Sequence, residues 1–149
     1  MASGWWHTHW GRRFVSVVLG IPTWTVLGLA AFLDADARGF GTHQQLGLGT
    51  CTVLGMTGWP CPMCGMTTSF THMAHIRPLE ALSVQPFGSA LFLVTLVIGT
   101  IAVVELFFPR GRWSRVLGGM ARVEVPLAVS ALMGLFFGWL YKTWQMGLW

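Results

Sequence analysis

All three cysteines of the chain, Cys51, Cys61 and Cys64, stand in one stretch running to His75, CTVLGMTGWPCPMCGMTTSFTHMAH, which also holds two of the five histidines. Cysteines at this spacing support three chemistries. The first is thiol redox: a Cys-x-x-Cys at a helix start has one thiol acidified by free backbone N–H groups, giving Cys61 as attacking thiol, Cys64 as resolving thiol and Cys51 as relay. The second is a structural metal, zinc by donor type, held by Cys51, Cys61 and Cys64 with His43 as the nearest fourth ligand. The third is a disulfide from Cys51 to Cys61 or Cys64, leaving one free thiol. A c-type haem is excluded because Gly65 follows Cys64 where a ligand histidine would stand.

These residues need a helix and a returning loop to bring them together. Trp59-Pro60-Cys61-Pro62-Met63-Cys64-Gly65 reads as a helix beginning, with Pro62 at the first helical position and the helix predicted to reach about Ile76. At about 100° per residue, Met63, Met66, Phe70, Met73 and Ala74 gather on one face. Cys61, Cys64, Thr68, Thr71, His72 and His75 gather on the other, so the helix is amphipathic and fits the outer membrane interface, Met and Phe side down. His72 and His75 lie roughly 12–16 Å along such a helix from Cys64 at about 1.5 Å per residue, too far to share its metal. Gly55 and Gly58 allow the segment after Cys51 to fold back, which predicts Cys51 within disulfide or metal-sharing reach of Cys61 or Cys64.

The scaffold around this stretch belongs to a membrane protein. Hydrophobic residues make up 54% of the 149 and charged residues only 9%, where soluble domains carry about 25% charge. Three runs are apolar enough to span a hydrocarbon core of about 30 Å: 14–33, 87–108 and 123–141. The expected fold is an all-α integral membrane protein with three transmembrane helices and an amphipathic or re-entrant helix carrying the Cys-x-x-Cys, one membrane domain over residues 1–149. Pro22 should kink the first span unless its freed carbonyl finds another donor. Residues 34–50 read as a Gly-rich loop, and Leu79–Val84 as a short interfacial turn. Glu105 is expected to snorkel or to pair with Arg110 or Arg112. Gly134 and Gly138, and Gly118-Gly119, are candidate helix-contact positions. Trp5, Trp6 and Trp10 with His7 and His9 form an interfacial head, and the tail from Lys142 reads as a Trp and Lys anchor. A signal peptide cleaved near Ala35-Asp36-Ala37 is the competing reading of the first apolar run, which exceeds the usual 7–15 residues.

Orientation follows from arginine. The head carries Arg12-Arg13 and residues 109–122 carry four arginines, while residues 34–86 carry two against three acids. Three spans satisfy that asymmetry with the N-terminus cytoplasmic and the cysteine segment on the outer side of a bacterial inner membrane. Thiols there meet an oxidising compartment. The net charge of +4 is thus topological, and no basic run suggests nucleic-acid binding.

Cys51, Gly58 and Cys61-Pro62-Met63-Cys64-Gly65-Met66-Thr67 resemble the signature of a small bacterial membrane family catalogued as domain of unknown function 2752, Cys…Gly-x-x-Cys-Pro-x-Cys-Gly-x-Thr-Arg. The resemblance continues through Gln85-Pro86-Phe87 and covers roughly residues 50–140. Thr68 stands where that family has Arg, and Gln85 where it has Asn. The resemblance implies the architecture and a role for the cysteines; the family lends no activity.

Two functions from different classes remain. The favoured one is a structural or accessory subunit whose outer segment is stabilised by cysteine pairing or zinc, in contact with membrane lipid and with a membrane protein partner or further copies of itself. The rival is a membrane thiol–disulfide oxidoreductase using the CPMC motif, against which stands the lack of a cofactor motif or a Gly-rich phosphate loop.

Overall fold

The computed structural model describes residues 8–120 and 122–148; the head through His7 lies outside the described residues. Every regular element among the described residues is helical. Helix α1 is His9–Phe32, capped by the Thr8 hydroxyl accepting from the Gly11 N–H. A 3-10 turn follows at Thr42–Leu46, then α2 at Thr52–Thr57, α3 at Met66–Ala74 and α4 at Pro78–Val84. Helix α5 is Pro86–Phe107, α6 is Arg112–Met120 and α7 is Glu124–Gln145. Helices α1, α5 and α7 are long and apolar enough to cross a membrane, and they overlap the three predicted spans, each shifted by a few residues.

Helix α1 continues past Pro22 without a break. The hydroxyls of Thr23 and Thr25 donate to the carbonyls of Leu19 and Ile21 beside it. Helices α1 and α5 pack closely because small residues meet. A Cβ added at Gly20 would lie 3.2 Å from the Ala102 Cβ, and one at Gly99 would lie 3.1 Å from the Thr23 methyl. The Trp24 indole donates to the Gly99 carbonyl at 3.1 Å across the same seam.

The seam separates two ends. At one, Trp113 of α6 donates to Ser16 at 2.8 Å and Arg12 reaches the Pro109 carbonyl. Glu105, wholly buried, accepts from the Gly111 and Arg112 N–H groups and the Arg112 guanidinium, so it ties down the turn into α6. At the other end sit the 3-10 turn, α2, α3 and α4. Their core is Leu27, Ala30, Met66, Phe70 and Phe92, with the Phe70 and Phe92 rings edge to face at 5.4 Å.

Helix α7 is anchored there by its C-terminal part only. Gly134 and Gly138 admit Phe87 and Gln85 of the α5 start, which makes them the contact positions their spacing suggests. Gly118 and Gly119 meet nothing within 4 Å. The first half of α7 leaves Val125, Val129 and Leu132 largely exposed.

Candidate functional site

The CPMC motif is a turn, and the helix begins after it. Pro62 presets the second position of a turn closed by the Cys64 N–H on the Cys61 carbonyl at 2.9 Å. Gly65 then takes φ +87°, and α3 starts at Met66, four residues later than the Pro62 start expected from sequence. The reason is steric: a Cβ at Gly65 would fall 2.8 Å from the Gly39 carbonyl oxygen, so the chain turns left-handed against the 34–41 loop. Neither Cys61 nor Cys64 therefore caps α3.

Helix α3 is also enclosed on both faces. Met66 and Phe70 enter the core as their apolar face requires, while Met63, in the turn, is exposed. The opposite face is buried too. Thr68 and Thr42, both wholly inaccessible, share a hydrogen bond at 2.8 Å, and Thr42 in turn accepts from the Asp36 N–H. Ser69 bonds the Ala81 and Gln85 carbonyls and the Ser89 hydroxyl. These hydroxyls tie the 3-10 turn, α4 and α5 to α3; the helix does not lie on a surface with its polar side in water. His72 lies 3.0 Å from Glu80, and His75 meets the Ala31 carbonyl, so both point away from the cysteines.

The three cysteines do converge. All are free thiols, and Cys51 and Cys61 lie close enough that each shifts the other's acidity. Cys51 is the N-cap residue of α2. Its sulfur closes no capping bond of normal geometry, yet the Leu54 N–H lies near enough to be the main cause lowering its thiol pKa, with the Cys61 thiol adding to the effect. Burial pushes Cys61 up, and the neighbouring Cys51 adds to that. Cys64 is nearly inaccessible, and burial pushes it to about 11. Cys51 is thus the most acidic thiol of the set, and burial disfavours ionisation of the other two.

Cys61 is held from both sides. The Trp139 indole donates to the Pro60 carbonyl at 2.8 Å, and the Gln85 amide donates to the Pro62 carbonyl at 3.3 Å. Beneath Cys64, Lys142 is only 2% exposed and donates to the Gly39 carbonyl at 2.9 Å, with the Val84 carbonyl and Gln145 amide oxygen as further acceptors. Its charge favours a Cys64 thiolate, partly countering burial. Lys142 is thus not an interfacial anchor but a buried clamp joining α7, α4 and the 34–41 loop. In the sequence Lys142 stands just past the third apolar run, where a lysine ordinarily reaches for water, so nothing there signalled its burial. Trp139 and Thr42 carried no signal either.

The cysteines open into a cavity of about 660 Å³. Its rim carries Arg38, His43 and Gln44 of the loop after α1. Asp36 holds Arg38 there at 2.7 Å, and that guanidinium draws the Asp36 pKa down to about 2. His43 shares the cavity with the cysteines, but among the described residues no three His, Cys, Asp or Glu side chains form a group able to hold a metal.

Residues 51–99 match the family model of DUF2752, a protein of unknown function. The match starts at Cys51 and takes in all three cysteines, α2, α3, α4 and the first part of α5; it stops short of the expected residue 140. No curated protein and no solved structure matches the chain. In the DUF2752 segment, the position where the resemblance leads one to expect Arg is Thr68, whose hydroxyl is engaged by Thr42. The loop that supplies Thr42, Arg38 and His43 lies outside the matched residues.

Proposed function

We propose that the cysteine cluster is a thiol–disulfide exchange site of a membrane protein, with Cys51 and Cys61 as the exchanging pair. The observation that carries this reading is that Cys51 and Cys61 line the same cavity, with the pKa of Cys51 lowered and that of Cys61 raised. The Cys51 thiolate attacks one sulfur of a partner's disulfide, forming a mixed disulfide and releasing the partner's other sulfur as a thiolate. Cys61 then loses its proton and attacks the Cys51 sulfur; the mixed bond breaks, the partner leaves with two thiols, and the Cys51–Cys61 disulfide remains. Run backwards, the same pair oxidises a dithiol. Cys51 takes the attacking role that spacing alone assigns to Cys61, because the turn removes Cys61 from any helix start. Cys64, buried over Lys142, stays protonated and supports the pair.

The three long apolar helices cross the bilayer in this reading. Arg12 and the 109–122 segment meet at one end of the structure, and the arginine asymmetry puts that end in the cytoplasm and the cysteines on the outer side of the inner membrane. One observation favours the structural alternative: Trp139, Gln85 and Lys142 already pin the motif, so closing the pair would staple the outer segment of an accessory subunit.

Equilibration of the purified protein in glutathione buffers of graded potential, followed by alkylation and peptide mapping, separates the two. Exchange requires a Cys51–Cys61 disulfide that opens and closes reversibly in the folded protein. A pair that opens only on unfolding makes it a staple, and three thiols that alkylate independently at every potential defeat both readings.

A further inference from the structure

Closing the Cys51–Cys61 bond removes two electrons, and the cavity over the pair is built to admit a particular kind of acceptor. Its volume of about 660 Å³ lies in the range of small-molecule sites, about 300–1,000 Å³. One wall is apolar and comes from α1 and α3: Val26, Leu29, Leu33, Met66 and Phe70. Val26 and Leu29 remain 46% and 40% exposed on a helix long enough to span a bilayer, so the apolar lining is continuous with an exposed face of that helix. The same cavity is lined by the three thiols and by the N–H donors of Arg38, His43 and Gln44. A soluble dinucleotide needs a phosphate cradle, which the chain lacks. A flat ring with two carbonyl oxygens and an apolar tail matches thiols, donors and wall together.

We propose that this cavity binds a lipid-soluble quinone as the oxidant of the Cys51–Cys61 pair, an inference that rests on the exchange reading above. The Cys51 thiolate adds to an electrophilic ring carbon, forming an S–C bond. Cys61 gives up its proton and attacks the Cys51 sulfur; the S–S bond forms and the S–C bond breaks. The electron pair stays on the ring, which leaves as hydroquinone with the Cys61 proton and one from solvent, replacing the proton Cys51 had already released. Two thiols and one quinone become one disulfide and one hydroquinone. The rim donors stabilise the negative charge that develops on the ring oxygens.

The test uses the full chain, reduced, in lipid nanodiscs. Decylubiquinone is added to one portion and oxidised glutathione to another, with quinone absorbance and the Cys51–Cys61 disulfide followed together. One quinone reduced per disulfide formed is expected. Leu29→Trp, which fills the apolar wall without touching a thiol, should raise the half-saturating quinone concentration by about tenfold, equivalent to about 1.4 kcal/mol. Its glutathione reaction should stay unchanged. Val26→Trp repeats the test should the first variant fail to fold, which the glutathione arm reports. Disulfide formation with glutathione but none with the quinone overturns the quinone site and leaves the exchange reading standing. Failure of both reagents removes the exchange reading as well. A quinone reaction indifferent to both tryptophans, or blocked equally by a plain decyl chain, shows the cavity to be no quinone site.

Discussion

Gly65→Ala tests whether the cysteine turn is held by the packing described. Gly65 stands at φ +87°, and an added Cβ would meet the Gly39 oxygen at 2.8 Å, a Val84 methyl at 3.2 Å and the Lys142 Nζ at 3.3 Å. The left-handed backbone alone costs an alanine about 1–2 kcal/mol. Moving the Gly39 peptide away also weakens its bond from the Lys142 ammonium, and bonds to charged groups contribute roughly 1.5–3 kcal/mol. The sum is a loss of about 3–5 kcal/mol. Gly47→Ala is the matched control. Gly47 has φ +75° and meets nothing within 4 Å, so it carries only the backbone cost, about 1–2 kcal/mol. Equilibrium unfolding of both variants in mixed micelles, read by tryptophan fluorescence, should show Gly65→Ala less stable than the control by about 1.5–3 kcal/mol, the value of the weakened bond. Equal losses would refute the claim that Gly39, Val84 and Lys142 close on the turn.

Gly134→Ala drives a Cβ into the Phe87 ring and should destabilise by about 1–3 kcal/mol; adding Phe87→Leu should restore most of the loss in a double-mutant cycle. Alkylation rate against pH should give Cys51 a midpoint below the ordinary thiol value of 9.0, while Cys64 titrates near 11. Because the folded pKa of Cys64 is the raised one, the stability it contributes is complete below pH 9.0 and is lost as pH rises through about 11, visible as a fall in unfolding midpoint that Cys64→Ala lacks. Lys142→Met leaves the Gly39 carbonyl without its donor and should cost about 1–3 kcal/mol. It should also move the Cys64 alkylation midpoint upward, since the lysine charge lowers that pKa.

The three long helices were legible because apolar runs of about 20 residues are long enough to cross a bilayer, and α1, α5 and α7 fall on those runs. Gly55 and Gly58 let the chain double back after Cys51, and the three cysteines line one cavity. The start of α3 was not legible. Proline at a first helical position and proline at the second position of a turn look alike along the chain, and only the Gly39 carbonyl pressing on Gly65 decides between them. The burial of both α3 faces escaped notice for a related reason. Threonine and serine mark a wet face when nothing faces them, yet Thr68 and Ser69 are matched by Thr42 and Ser89 from segments distant in sequence. Lys142 misled in the same way: a lysine near the end of an apolar segment ordinarily reaches for water, and here it finds carbonyls.

The bond from Trp139 to Pro60 spans 79 positions of the chain, and that from Lys142 to Gly39 spans 103. A ribosome adding about 5–20 residues per second makes the cysteine motif several seconds before it makes the residues that fix it. Throughout that interval Pro60 and Gly39 lack their donors. The order of synthesis thus leaves the cysteine turn unclamped until the last helix is made, and the geometry of its thiols is set only then.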